Sequence, residues 1–402
     1  MRTVGVGLVS VGWMGKLHSR AYLGIPVVYP DLGLRPKLVC AADTSPERQV
    51  YATDVLGYAR ATGDYREVVD DPAVDVVSIC APNALHREVA LAAAAAGKPF
   101  WIEKPVGRDA EDAAAVSEAA AASGVVTAVG FNYRQAPAVA HIRRLVADGE
   151  LGRVTSVRCV FLNGQAADPR VALSWRFQRE HAGTGVLGDL LSHVADLVRF
   201  VLDDRITEVS AASAIVHRQR PVADAESHFA VVDGSAGDVE LGEVDNDDYA
   251  ALLARFAGGA IGTLEVSRVV VGPRCGLVLE VYGTRGSAGW DFERMNELRV
   301  TRLGTDGYTT VLGHAGLGEY ARFQPGPGNA MGYDDLKVIE AAHFLDAARG
   351  DGMLEPAARA TVADALAAAR VVEAAVAASA DERWVRVQGG RVRVERAGGA
   401  RR

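Results

Sequence analysis

Cysteine is scarce in this sequence. Its 402 residues include four cysteines, Cys40, Cys80, Cys159 and Cys275, which lie far apart. No Cys-x-x-Cys pair or Cys/His spacing points to a zinc site, and we predict no metal. Cys40 and Cys80 lie inside apolar, strand-like runs. Buried, reduced thiols are therefore expected, as is usual for a cytoplasmic protein.

The sequence also lacks an excess of positive charge and a long hydrophobic run. A net charge of −8 and a pI near 5.7 argue against non-specific binding to nucleic acid or to an anionic membrane, because both need a basic surface. No apolar run approaches the length of a membrane span. The first residues lead directly into a strand, so we expect no signal peptide and a cytoplasmic location.

The first part of the chain alternates between strand-like and helical patterns, and the total length favours two domains. The apolar runs are Val4–Val9, Leu38–Ala42, Val74–Cys80, Pro99–Ile102 and Val125–Gly130. Helical patterns lie between them, at about 13–23, 46–56, 64–70, 85–96 and 109–122. This alternation predicts an α/β Rossmann domain at 1–132 whose parallel sheet is covered on both faces.

A glycine-rich turn follows the first strand and opens a helix. Against the pattern Gly-x-Gly-x-x-Gly, Ser10 replaces the first glycine, while Gly12 and Gly15 fit. Gly12 would let the backbone approach a pyrophosphate, and Gly15 would let helix and strand pack closely. Ser10 must make the turn without the freedom of glycine. The helix N-terminus, at Trp13 and Met14, would offer N–H groups to the phosphates.

Asp43 ends the second strand. A carboxylate there can accept hydrogen bonds from the adenosine ribose and would repel a 2′-phosphate, which favours NAD over NADP. The alternative is a helix-capping role within Asp43-Thr44-Ser45-Pro46. Arg48 nearby keeps NADP open as a minor alternative.

Two later turns also follow apolar strands. In Ala81-Pro82-Asn83, proline stops the strand and Asn83 can cap the next helix; His86 follows in its first turn. Glu103-Lys104-Pro105 comes directly after Phe100-Trp101-Ile102. Because ligands of open α/β sheets bind at the carboxyl ends of the strands, Lys104 should point into a cofactor cleft. The alternative is an ordinary surface lysine.

The second part of the chain, 133–390, predicts an α+β domain with a large, mostly antiparallel sheet that leaves one face open. Its predicted strands are Val154–Leu162, Glu208–Val216, Tyr249–Phe256, Gly259–Arg268, Gly276–Gly283 and Ser287–Asp291. Helices are predicted at Ala138–Asp148, at Gly185–Val201, and at about 333–349 and 357–379. The segment 391–402 is Gly/Arg-rich and is predicted to be a flexible tail.

The helix Gly185–Val201 carries Asp189, His193 and Asp196 on one face, by their spacing of four and three. A carboxylate one turn below a histidine can orient the ring and raise its basicity, and such a histidine suits removal of a hydroxyl proton. The alternative is a surface histidine beside a helix-dipole aspartate.

These motifs together resemble the family of glucose–fructose oxidoreductase, inositol dehydrogenase and rhizopine-type catabolic proteins, up to about residue 388. The resemblance rests on Gly12-Trp13-Met14-Gly15-Lys16-Leu17-His18, Pro82-Asn83-Ala84-Leu85-His86, Glu103-Lys104-Pro105 and Asp189-x-x-x-His193. Within the family the chain looks most like the levoglucosan dehydrogenase branch, through Phe131-Asn132-Tyr133-Arg134, Leu173-Ser174-Trp175-Arg176-Phe177-Gln178, and Gly332-Tyr333 before a helix at Lys337-Val338-Ile339-Glu340-Ala341.

The resemblance implies an NAD-linked sugar dehydrogenase that oxidises a ring secondary hydroxyl, often at C3 of a pyranose, and a homotetramer. Its implied catalytic residues are Lys104, His193 and Asp189. Implied cofactor contacts are Ser10, Gly12, Trp13, Met14, Asp43, Ala81, Asn83, His86, Glu103, Lys104, Asn132, Trp175 and Arg176. Implied substrate contacts are Lys104, Tyr133, Asn163, Gln165, Asp189, His193 and Tyr333.

Two departures and two alternatives accompany this interpretation. Ser10 replaces the usual glycine, and Gln165 lies near the place of an expected aromatic residue, which leaves the sugar open. An inositol or amino-sugar dehydrogenase, or a ketosugar reductase, is the alternative enzyme. A non-catalytic NAD-binding sensor is the alternative of another class, although it would need none of Lys104, Asp189 and His193.

Overall fold

The computed structural model describes residues 1–223, 230–232, 239–323 and 329–388. The tail predicted at 391–402 lies outside these ranges. In the described part of the chain, no helix is both long and apolar enough to cross a membrane. Two large sheets organise the structure, one on each side of a cleft.

The first sheet has six strands in the order β3-β2-β1-β4-β5-β6, and every neighbouring pair is parallel. Its strands are β1 Arg2–Val9, β2 Leu34–Ala42, β3 Arg60–Thr62, β4 Val76–Ile79, β5 Phe100–Ile102 and β6 Thr127–Val129. The helices between them are α1 Trp13–Val28, α2 Pro46–Tyr51, α3 Arg66–Val69, α4 Asn83–Ala95 and α5 Ala110–Ser123. The predicted Rossmann domain is confirmed.

Strand β3 is the one element of this sheet that the hydrophobic pattern missed. It has three residues, Arg60-Ala61-Thr62, and pairs with the end of β2 at the sheet edge. An edge strand this short and polar contains no apolar run from which it could be predicted. Lys104 follows the fifth strand, so its predicted place at the carboxyl edge of the sheet is confirmed.

The second sheet has nine strands in the order β16-β15-β14-β13-β7-β12-β11-β8-β17. Its strands are β7 Val154–Leu162, β8 Ile206–Ala214, β11 Tyr249–Phe256, β12 Ile261–Ser267, β13 Gly276–Gly283, β14 Gly286–Asp291, β15 Glu297–Arg302, β16 Thr309–Leu312 and β17 Val385–Arg386. β7 and β12 pair in parallel and the other described neighbours are antiparallel, so the predicted, mostly antiparallel sheet is confirmed. A separate pair is formed by β9 Gln219–Pro221 and β10 Leu241–Glu243.

The helices of this part of the chain pack against elements of both sheets. They are α6 Pro137–Ala147, α7 Arg179–Ala182, α8 Ser192–Leu202, α9 Tyr320–Phe323, α10 Tyr333–Arg349 and α11 Val362–Asp381. The predicted helix Gly185–Val201 is interrupted, because Leu187–Leu191 forms a π-helical turn before α8 begins. The domain limits 1–132 and 133–390 stay a prediction.

Helix α10 returns to the first domain and packs against α1. Ala341, Ala342, Phe344 and Leu345 of α10 share a buried apolar cluster with residues of β1 and α1. The N-terminal sheet is therefore covered on one side by a helix that comes from the far end of the chain. This packing places α10 directly behind the end of β5.

Gly15 and Gly24 both lie in α1 and offer a matched test of its packing. A Cβ at Gly15 would collide with the carbonyl oxygen of Ser10, whereas one at Gly24 would lie 3.5 Å from a Val338 methyl carbon, an ordinary contact. We expect Gly15→Ala to lower the free energy of unfolding by about 1–3 kcal/mol, because the strand–helix contact must open.

Gly24→Ala is the control and should be neutral or stabilising by up to about 1 kcal/mol, because alanine favours helix. Urea unfolding followed by circular dichroism gives both values. Equal effects of the two substitutions would contradict the close strand–helix contact.

Candidate active site

The glycine-rich turn has the shape of a phosphate cradle. Ser10 is in the left-handed region, at φ 75°, and its N–H donates to the Ala42 carbonyl at 2.8 Å. Ser10 thus takes the strained place where glycine is usual, as predicted from the sequence. A Cβ at Gly12 would point into open space, with only Ser10 Oγ at 3.8 Å. Helix α1 starts at Trp13 without a side-chain cap or an acidic first turn, so its N–H groups suit phosphate oxygens.

Asp43 holds this turn in place. Its carboxylate accepts the Val11 N–H at 2.7 Å and the Ser45 N–H at 3.0 Å. The segment does contain a helix cap, as the alternative expected, but the capping residue is Ser45, which accepts the Arg48 N–H. Since an ionised carboxylate can accept about four hydrogen bonds, Asp43 can still accept from a ribose hydroxyl. The Arg48 guanidinium lies 3.8 Å away and half-exposed.

The turns after β4 and β5 are tied together by His86, which is fully buried. One ring nitrogen lies 2.7 Å from the Ala81 carbonyl and the other 2.7 Å from the Pro105 carbonyl. Burial lowers the pKa of His86. Both ring nitrogens therefore face backbone carbonyls, and the side chain of His86 lies behind the cofactor cleft rather than in it.

Asn83 joins the two domains instead of capping a helix. Its Nδ2 donates to the Ala182 carbonyl at 3.1 Å, whereas the N-cap position of α4 is Pro82, without a side-chain bond. The capping prediction for Asn83 is wrong, because Asn83 is the first residue of α4 and Pro82 takes the N-cap position. This contact closes one side of the cleft between the sheets.

Glu103 does not face the cleft. Its carboxylate is 6% exposed and lies 3.0 Å from His18 Nε2 and 2.6 Å from Lys337 Nζ. The expected cofactor contact by this side chain therefore finds no support, since alternate residues of an extended segment point to opposite sides. Glu103 points inward and its neighbour Lys104 points outward.

Lys104 pairs with Asp189 of the other domain. Its Nζ lies 2.5 Å from Asp189 Oδ1 and 3.0 Å from the Asp189 carbonyl oxygen. The other carboxylate oxygen lies 3.9 Å from the Arg176 guanidinium. Burial opposes the charged carboxylate, but Lys104 and then Arg176 outweigh it and hold the pKa of Asp189 below its usual value. Asp189 is thus an anion, and it holds the Lys104 ammonium at the cleft.

His193 lies one turn beyond Asp189, inside a cage of aromatic rings. Its ring centroid is 4.8 Å from that of Tyr133, 5.6 Å from Phe131 and 6.0 Å from Phe161. Burial, and secondly the charge of Lys104, lower the pKa of His193 well below its usual value, so the ring is neutral at neutral pH. A neutral imidazole can accept a proton.

The predicted grouping of Asp189, His193 and Asp196 is wrong in two respects. Among the described residues no hydrogen bond joins Asp189 to His193; the aromatic cage fixes the ring instead. Asp196 is buried and binds Arg134, with Nε–Oδ2 at 2.6 Å. The π-helical turn changes the angular spacing along this helix, which the regular period of 3.6 residues could not anticipate.

Two tyrosines complete the wall around His193. Tyr133 is buried, and its hydroxyl lies 3.5 Å from Cys275 Sγ. Tyr333 opens α10, with its ring 6.3 Å from that of Tyr133 and stacked on Trp13 at 5.9 Å. Trp13 itself is 64% exposed, at the mouth of the cleft. A run of rings therefore connects the glycine-rich turn to His193.

The cleft beside the ion pair brings together predicted and unpredicted residues. It is lined by Asn83, Gln165, Trp175, Arg176, Ala182, Thr184, Gly185, Asp189 and Arg268. Asn163 is buried at its edge, where its side chain accepts the Gln165 N–H at 3.3 Å. No motif in the sequence singles out Thr184 or Arg268. Arg268 binds Asp248 at 2.7 Å and the Arg176 carbonyl at 3.1 Å, and thus holds the Trp175–Arg176 segment over the cleft.

Several buried polar atoms have no hydrogen-bond partner within the described chain, and two of them suit a ligand in the cleft. These two are Nδ2 of Asn132, just beyond β6, and the hydroxyl of Thr184. Native proteins rarely leave such groups unpaired. Together with the open cradle at Gly12 and the remaining lone pairs of Asp43, they fit a bound dinucleotide and a polyhydroxylated ligand. The described residues contain no cluster of three or more His, Cys, Asp or Glu side chains that could hold a metal.

Comparisons with known proteins agree with this geometry. Residues 4–131 match the oxidoreductase family with an NAD-binding Rossmann fold, and residues 139–289 match the GFO/IDH/MocA C-terminal domain. Levoglucosan dehydrogenase of Pseudarthrobacter phenanthrenivorans is 36% identical over 393 residues, 96% of this chain and 99% of that protein. The chain belongs to the GFO/IDH/MocA oxidoreductase family.

Other members of the GFO/IDH/MocA family are also similar. The scyllo-inositol 2-dehydrogenase (NAD(+)) of Bacillus subtilis is 30% identical over 276 residues, 67% of this chain and 76% of that protein. A levoglucosan dehydrogenase solved with NADH and levoglucosan has a TM-score of 0.88 at 35% identity, covering 96% of this chain and 100% of its own. An NAD binding oxidoreductase from Klebsiella pneumoniae has a TM-score of 0.87 at 36% identity, covering 97% and 100%. This family member is an NAD-dependent oxidoreductase of the sugar and polyol type.

The pKa of His193 tests the arrangement of charges directly. Because the ammonium of Lys104 disfavours a second positive charge, Lys104→Met should raise the pKa of His193. NMR titration of protein with labelled histidine measures this change, and His193→Gln assigns the signal among the nine histidines. An unchanged or lowered pKa in Lys104→Met would show that the ammonium does not act on the ring.

Proposed function

We propose that the protein is an NAD-dependent sugar dehydrogenase that oxidises a ring secondary hydroxyl, at C3 of a pyranose or of an anhydrosugar such as levoglucosan. The observation that carries this proposal is the ion pair of Lys104 and Asp189 beside the neutral ring of His193, at the end of β5. The 36% identity to a levoglucosan dehydrogenase over nearly the whole chain supports the substrate class.

The proposed cofactor site follows the carboxyl edge of the first sheet. Ser10, Gly12, Trp13 and Met14 would hold the pyrophosphate, and Asp43 the adenosine ribose. Asn132, Trp175 and Arg176 would lie near the other end of the dinucleotide. When bound, NAD⁺ supplies the hydride acceptor.

The chain's own residues would bind the reacting hydroxyl, stabilise its developing charge and accept its proton. Lys104 would donate a hydrogen bond to the reacting hydroxyl, and its charge would stabilise the alkoxide that develops as hydride leaves. His193, neutral at neutral pH, would take the hydroxyl proton at a ring nitrogen. Asp189 would hold the Lys104 ammonium in place and accept a hydrogen bond from a neighbouring hydroxyl.

The rest of the cleft would recognise the substrate's other hydroxyls. Tyr133, Asn163, Gln165 and Tyr333 are the proposed contacts. Gln165 is exposed at the cleft and offers an amide. A homotetramer formed through the open faces of the second sheets remains a prediction of the resemblance, and a cytoplasmic location remains a prediction from the sequence.

A second enzyme class is supported by one comparison. The relative named scyllo-inositol 2-dehydrogenase acts on a cyclic polyol, and such a ring presents adjacent secondary hydroxyls as a pyranose does. An inositol or amino-sugar substrate is therefore the alternative. A sensor without catalysis has no use for the ion pair and the neutral histidine together.

A substrate panel tests the proposal. We expect NADH formation with a pyranose or anhydrosugar, measured at 340 nm over levoglucosan, glucose, other pyranoses, their glycosides and inositols. NAD should give higher initial rates than NADP, because Asp43 would repel a 2′-phosphate. Turnover of inositols alone would favour the alternative enzyme. Clear NAD binding without turnover of any compound would support the sensor.

The roles of Lys104 and His193 predict a specific kinetic effect. Lys104→Met and His193→Gln should each lower kcat by about 10²–10⁴-fold, because each removes proton transfer or charge stabilisation from the transition state. The Kd for NAD, measured by calorimetry, should change little. Lys37→Met, at an exposed position of β2, is the control and should keep wild-type kcat. Full activity of either active-site variant would refute its assignment.

A further inference from the structure

We propose that Lys337 of α10 is a positioning residue for Lys104, because it fixes the buried carboxylate of Glu103, the residue that precedes Lys104. The inference rests on the proposed function, since it concerns the same reaction. Lys337 does not line the cleft and would act on Lys104 through Glu103. The predicted site residues do not include it, although it opens the motif Lys337-Val338-Ile339-Glu340-Ala341.

The charges behind the end of β5 form a closed group. Lys337 Nζ is 1% exposed and lies 2.6 Å from Glu103 Oε1 and 2.8 Å from Glu340 Oε2. His18 of α1 approaches the same Glu103 oxygen at 3.0 Å. The group thus connects β5 to both α1 and α10, which pack against each other.

Aromatic and polar neighbours hold the group rigid. The His18 ring stacks on Trp101 at 3.4 Å, and its other nitrogen lies 3.1 Å from Ser78 Oγ. Lys337 Nζ lies 5.3 Å from the centre of the Trp101 ring. A Cβ at Gly130 would overlap the Glu103 carboxylate, so glycine there leaves room for it. These neighbours leave Glu103 little freedom to move.

The protonation states leave a single ion pair. Burial opposes the charge of Glu103, but Lys337 and His18 outweigh it and keep the pKa of Glu103 low. Burial lowers the pKa of His18 to about 4. Burial raises the pKa of Glu340 to about 8. At neutral pH the group therefore holds Lys337 as cation, Glu103 as anion, and neutral His18 and Glu340.

Stability alone is a weak reason to bury such a pair. The cost of removing two charges from water commonly cancels their attraction, and apolar residues of similar size often serve as well. Position gives a better reason here. Glu103 is anchored inward by Lys337, and Lys104 is held outward by Asp189, so the strand end is fixed from both sides. A misplacement of about 1 Å at a reacting group can cost on the order of 10²-fold in rate.

Two variants distinguish an effect on the position of Lys104 from an effect of unbalanced buried charge. Lys337→Met leaves Glu103 buried without its cation and should lower the unfolding midpoint. Glu103→Gln/Lys337→Met removes both charges, so the midpoint should return toward the wild-type value. We expect kcat of the double variant to stay about 10- to 100-fold low, with the Kd for NAD little changed. Recovery of kcat together with the midpoint would overturn the proposal.

The pKa of His193 provides a readout that needs no substrate. Lys337 lowers this pKa and Glu103 raises it, so their direct effects oppose each other when both charges are removed, and a movement of Lys104 away from the ring adds an upward change. We expect the double variant to shift the pKa of His193 upward, in the direction of Lys104→Met. An unchanged pKa with unchanged kcat would overturn the positioning role.

The control is Lys98→Met. Lys98 is half-buried and donates to the Asp71 and Val74 carbonyls, at the far end of the sheet from the cleft. Lys98→Met should lower the unfolding midpoint and leave kcat and the pKa of His193 unchanged. If wild-type protein reduced NAD with no compound of the panel, the proposed function would fail, while the NMR titration would still decide the positioning role.

Discussion

The ion pair between Lys104 and Asp189 joins the two halves of this protein at the point where chemistry is expected. An ammonium at the end of β5 and a carboxylate from the turn before α8 come within 2.5 Å of each other. Neither group would be well placed without the other, because a half-buried charge needs a partner. The protonation states of Asp189 and His193 both depend on this contact. Docking of the domains therefore keeps Asp189 ionised despite its burial and leaves His193 neutral.

The acid–base properties of the site arise from burial as much as from charge. His193 is enclosed by Phe131, Tyr133 and Phe161, and these rings remove water from around the imidazole. In water its ring would be partly protonated near pH 6.5. Inside the cage the neutral form prevails. A hydrophobic wall thus orients the ring, as Asp189 was expected to do, but it lowers the pKa of the ring, whereas the charge of Asp189 raises it.

Sequence reasoning predicted what depends on local pattern and missed what depends on distant partners. Continuous apolar runs revealed β1, β2, β4, β5 and β6, and the spacing of glycines revealed the phosphate cradle. The polar edge strand β3 had no such signal. Glu103 was placed in the cleft by its neighbourhood, although a cation 234 residues away binds it inside the protein. Arg268 was missed for the same reason, since its partners come from other loops.

The return of α10 to the N-terminal sheet has a consequence for the order of events during synthesis. The strands of the Rossmann domain leave the ribosome roughly 200 residues before Lys337, yet the Glu103 carboxylate needs that lysine for its charge. Until α10 arrives, the face of α1 that it covers stays open and Glu103 has only His18 beside it. A nascent N-terminal domain is therefore an incomplete one, with its final packing postponed until most of the chain has been made.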